Sequence, residues 1–185
     1  MRTSVREKAD TVATWRQTAV HLMETLARWV PTSPELEAKA LFGRHIWDFA
    51  QIADQLGRRT AELRLALHQS RPPVASYQAV LDAVALLPRS ADRIDAFYGV
   101  VLPDYERRLT AFLATADPIL DDPTSRIAER ALGDIHRMYE QRDALLLERT
   151  DLRAHDAASV ERIRNDLAKI GDVVDYRPVP AGDLA

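Results

Sequence analysis

Cysteine is absent from the 185 residues, which removes disulfides, thiolate catalysis, cysteine-based zinc sites and iron–sulfur clusters together. Any metal would have to be held by oxygen and imidazole. Glycine is scarce, at six residues, and neither a Gly-x-Gly-x-x-Gly nor a Walker loop occurs, so backbone cradles for phosphate are not expected. His-Glu-x-x-His and the nucleophile elbow are missing as well. No run of about 18 apolar residues is present, and Met1 to Asp10 is polar and charged, so neither a membrane span nor a signal peptide is expected and the chain reads as cytoplasmic. Lysine occurs only at Lys8, Lys39 and Lys169, leaving arginine as nearly all of the basic charge. The net charge of -3, with basic residues spread and not clustered, argues for no nucleic-acid partner and no membrane partner. Internal repeats and low-complexity blocks are lacking.

What remains is a helical pattern of single-domain length with an apolar fraction of 46%, enough for a core. Its longest stretch runs from Pro34 to His68. Ser33 reads as an N-cap, Pro34 as the first helical residue, and Glu35 and Glu37 as first-turn acids favoured by the helix dipole. At about 100° per residue, Ala38, Leu41, Phe42, His45, Phe49, Ile52, Leu56, Leu63 and Leu67 share one face. Before it, Ser4 to Val30 predicts a helix with Val12, Trp15, Ala19, Leu22, Leu26 and Trp29 inward. His21 and Glu24 fall opposite that stripe and read as solvated. The short turn Pro31 to Pro34 makes these two helices an antiparallel hairpin.

After His68 the chain crosses over, carrying a short helix between Ser76 and Leu87. A third long helix follows, capped by Ser90, with Ile94, Tyr98, Val101, Tyr105, Leu109 and Phe112 on its face. Pro103 falls within it and predicts a kink or a division. Tyr98 and Tyr105 read as core residues whose hydroxyls need partners. Asp122 and Pro123 start a fourth helix to about Arg149, with Ile127, Ala128, Leu132, Ile135, Tyr139 and Leu146 inward. From Asp151 a short helix capped by Asp156 carries Val160, Ile163, Leu167 and Ile170 and ends at Gly171. Asp172 to Ala185 reads as an extended or disordered tail able to dock on another subunit. The expected division is a helical body over 1-150, then a short helix and tail over 151-185.

His45 lies at the centre of the apolar arc and Asp48 one turn on, a spacing that lets two side chains serve one ligand. One reading is a core histidine paired with a carboxylate; the other is a metal ligand with Asp48 beside it. Glu129 and His136 are seven apart on one border of the fourth helix, and Glu106 stands beside the apolar face of the third.

This order, a helical hairpin, a long crossover between helices 2 and 3 bearing a short helix, then two long helices and a short C-terminal helix, resembles the ferritin-like superfamily over about Ser4 to Arg149. The resemblance implies an all-α four-helix bundle, and in metal-binding members a central di-iron or di-manganese site fed by lone glutamates and Glu-x-x-His motifs. No Glu-x-x-His occurs in this chain. The residues nearest to that constellation are His45, Asp48, Glu106, Glu129 and His136, which would hold Fe or Mn for oxidoreductase chemistry on a small-molecule substrate. Set against this metal-dependent reading are a metal-free bundle acting as a binding or accessory protein, and a homo-oligomeric scaffold in which the C-terminal helix and tail bury a partner surface.

Overall fold

A computed structural model describes residues 4–177, and everything regular in them is helical. The elements are α1 (Val5–Thr32), α2 (Leu36–Glu62), α3 (Ala75–Ala85), α4 (Ser90–Ala96), a π-helical turn (Phe97–Val101), α5 (Leu102–Thr115), α6 (Asp122–Glu148), a 3-10 turn (Thr150–Arg153) and α7 (Ala157–Ala168). Among the described residues no helix is long and apolar enough to cross a membrane.

The expected hairpin is present. Ser4 closes a capping box with Glu7 at the start of α1, and α1 and α2 lie antiparallel along their lengths, with Trp29 against Phe42 at one end. The end of α1 differs from the expectation, because Pro31 is still helical and Ser33 terminates α1 instead of capping α2. The Ser33 hydroxyl accepts a hydrogen bond from Arg93 Nη1 at 3.0 Å, so a tertiary donor claims it. Glu35 is the N-cap of α2, without a side-chain cap.

α2 also stops earlier than its apolar pattern, at Glu62 and not at His68. The Thr60 hydroxyl meets the Gly57 and Ala66 carbonyls, and the His68 N–H donates to the Gly57 carbonyl at 2.9 Å. The chain folds back over the last turn with Arg64 and His68 at φ 65° and 58°. Gly57 leaves room for this return, since a Cβ there would run into the His68 ring and the Arg16 guanidinium, which would have to move aside. Leu67, assigned inward by periodicity, is consequently exposed.

α6 runs antiparallel to α2, with Arg149 on Glu37 at one end and Arg59 on Thr124 at the other. α5 packs on α6, and α5 meets α1 through Trp15 and Phe112, whose rings cross at 89° with centroids 5.1 Å apart. The long crossover is present too, and its α3 packs on α1 and α7. That covering explains a miss: α1 carries a second buried stripe of Asp10, Thr14, Thr18, His21 and Thr25. His21, expected in solvent, is 9% exposed, and its Nδ1 accepts from Gln78 Nε2 of α3 at 3.3 Å.

α7 begins as expected at Asp156, whose side chain accepts from the Ala158 N–H. Its apolar face, Val160, Ile163 and Leu167, is buried on α3 and α4 within the same chain. The tail likewise docks on its own body as far as residue 177. Val173 and Val174 are buried, the Val74 N–H donates to the Val173 carbonyl at 2.9 Å, and Arg177 Nε reaches the fully buried Asp10 at 2.7 Å. The remainder of the expected tail, 178 to 185, lies outside the described residues.

Candidate functional site

Pro103 divides the third long helical run, as its sequence position predicts: α4 gives way to the π turn, and the proline takes an N-terminal position of α5. A proline has no N–H to return to the carbonyl four residues back, so the Gly99 carbonyl loses its helical donor. The chain answers with a π turn, in which the Leu102 N–H donates to the Phe97 carbonyl five residues back. Arg164 of α7 supplies the missing donor to Gly99, with Nη1 3.2 Å from its carbonyl. Isolated π turns recur at functional sites. Tyr98 sits in this one, facing α2.

There the Tyr98 hydroxyl lies 2.6 Å from His45 Nδ1, and His45 Nε2 lies 2.9 Å from Gln141 Oε1 of α6. An amide oxygen only accepts, so Nε2 carries the proton, Nδ1 offers its lone pair and Tyr98 donates. Three helices thus meet in one hydrogen-bonded chain inside the core. Burial favours the neutral ring and lowers the His45 pKa, with hydrogen bonding to Gln141 and the Asp48 charge opposing it. Burial raises the Tyr98 phenol well above its usual range. The group is a neutral relay at rest, with both imidazole nitrogens satisfied.

The other residues nominated as ligands are distributed elsewhere. Asp48 is half-buried and accepts from Arg137 Nη2 at 2.9 Å, while the same guanidinium reaches Asp134 at 2.8 Å. Glu129 is exposed on α6. Glu106 and His136 do meet: His136 Nε2 lies 2.9 Å from Glu106 Oε1, and the Tyr139 hydroxyl donates to Glu106 Oε2 at 2.8 Å. Burial, then the Glu106 carboxylate, raises the Tyr139 pKa. This cluster stands on the α5–α6 surface, with the His136 side chain 63% exposed.

These placements do not fit a metal centre of the kind the resemblance implies. A ligand needs a free lone pair on imidazole, and the one on His45 is taken by the Tyr98 proton. Among the described residues no three His, Asp or Glu side chains gather closely enough to hold an ion. Sequence reasoning identified His45 as enclosed and Tyr98 as needing a partner, but it missed Gln141, an amide on the border of α6 that only the α2–α6 pairing brings inward.

A second feature was not foreseen at all. A cavity of about 360 Å³ opens between the first half of α1, the end of α5, the start of α6 and the returning tail. Trp15 and Phe112 form its apolar side, and Lys8, Arg107 and Tyr176 stand around it. Its walls come from segments as distant in sequence as residues 8 and 176, which is why no local pattern announces it. No family model, curated protein or solved structure matches the chain.

Proposed function

We propose that this chain is a metal-free, ferritin-like four-helix bundle that serves as a small-molecule binding protein. The helix order supports the bundle, as do the packing of α1 on α2, α2 on α6 and α6 on α5 and the closure of the ring by Trp15 against Phe112. One observation supports the metal-free reading: both nitrogens of the buried His45 are engaged, by Tyr98 and by Gln141. A core histidine held in this way contributes order to the interior and leaves binding to a cavity elsewhere.

The test is metal content. Protein handled anaerobically, mixed with excess Fe(II) or Mn(II) and desalted, is expected to retain only substoichiometric metal, in the wild type and in His45→Ala alike. Retention of one or more ions per chain, lost in His45→Ala, overturns the reading and favours the metal-dependent oxidoreductase.

A further inference from the structure

We infer that the cavity between α1, α5 and the tail is a binding site for a small aromatic carboxylate, with the ring against Trp15 and Phe112 and the carboxylate at Lys8 and Arg107. The inference rests on the binding-protein reading above and gives it a ligand class.

The apolar half sets the ring. Trp15 and Phe112 meet edge to face at 5.1 Å, and a third ring beside such a pair finds both an edge and a face to pack on, the arrangement aromatic groups prefer. At about 360 Å³ the space is near the lower end of ligand pockets, roughly 300 to 1,000 Å³, which suits one ring or two fused rings.

The polar half sets the charge. Asp121 engages Lys8 Nζ at 2.7 Å with Oδ1 and accepts the Asp117 N–H with Oδ2. Asp172 accepts the Val174 N–H, and Asp104, behind the wall, accepts from both Arg107 and Arg108. Each of these carboxylates therefore has part of its acceptor capacity occupied, and three cations, Lys8, Arg107 and Arg108, line the same cavity. An ammonium has three N–H groups and a guanidinium five, of which Asp121 takes one from Lys8 and Asp104 one from Arg107, and Arg108 Nη2 is buried without a partner. Lys8 is largely enclosed, at 16% side-chain exposure, whereas Arg107 is open at 63%, so the first can fix a bound anion and the second can swing onto it. Surplus donors beside an aromatic cleft select an anion with a ring over a neutral or cationic one.

The experiment is isothermal titration of the full-length protein with 2-naphthoate and with its neutral analogue 2-naphthalenemethanol. Saturable one-to-one binding of the acid is expected, with the alcohol weaker by about tenfold or more, the value of one charge-assisted hydrogen bond. Lys8→Met should remove that preference while leaving alcohol binding in place. Ala111→Trp, at an exposed position on the cavity wall, fills the space without removing a core contact and should abolish binding of both with the circular dichroism spectrum and Tm unchanged. Absence of saturable naphthoate binding, or equal binding by folded Ala111→Trp, overturns the inference. Because metal content is measured separately, failure here is distinguishable from failure of the metal-free reading.

Discussion

The Tyr98 hydroxyl and His45 Nδ1 are 2.6 Å apart in a part of the core where the two residues are 1% and 0% exposed. A phenol that must donate and an imidazole that must accept are locked together where water cannot substitute for either. The consequence is that each residue stabilises the other, and removing one strands its partner.

Tyr98→Phe keeps the ring and deletes the proton donor, leaving Nδ1 unpaired. It should cost about 1–3 kcal/mol, the price of one buried unsatisfied group. His45→Ala strands both Tyr98 and Gln141 and opens a cavity, and should cost about 2–5 kcal/mol. Urea unfolding followed by circular dichroism checks both; midpoints equal to wild type would show that the hydrogen-bonded chain does not hold these helices.

The same burial makes stability depend on pH. The folded-state pKa of His45 lies below its ordinary 6.5, so below that pH the unfolded chain takes up a proton that the folded chain refuses. The contribution is therefore complete above about pH 6.5 and declines as pH falls toward the folded value. The difference in unfolding free energy between wild type and His45→Gln should shrink between pH 7 and pH 5, and a difference constant across that range would assign the proton uptake to other groups.

Arg164 and Pro103 should be coupled through the Gly99 carbonyl. Arg164→Ala removes the donor 3.2 Å from that oxygen and should cost about 0.5–1 kcal/mol, as expected for one partly exposed hydrogen bond. In a Pro103→Ala background the restored N–H can reach the same carbonyl, and the cost of Arg164→Ala should fall toward zero. A double-mutant cycle with no interaction energy would show that the arginine contact is incidental.

Truncation after Thr150 should destabilise the protein without changing the number of chains in the particle. The cut exposes the surfaces covered by Val160, Ile163, Leu167, Val173 and Val174, each worth about 1.5–3 kcal/mol when fully buried. A lowered Tm checks this. A wild-type Tm accompanied by a halved mass in light scattering would instead make the C-terminal segment a subunit contact.

Much of the fold was legible because its signals are local. Apolar periodicity placed α1, α2, α3, α6 and α7 to within a few residues at most ends, Asp156 marked the start of α7, and the absence of cysteine excluded whole classes of chemistry from composition alone. His45 could be recognised as enclosed for the same reason, since its neighbours at three- and four-residue spacing are oily. What the sequence could not settle was anything requiring two distant segments to be weighed against each other. His21 and Asp10 are inside because α3 and the tail cover them, and the Ser33 hydroxyl and the Gly99 carbonyl meet their donors, Arg93 and Arg164, only in the packed fold. The partners of His45 and the cavity beside Trp15 belong to that second group. Periodicity reports which face of a helix turns inward, but the polar atom that meets it is chosen only when the helices pack.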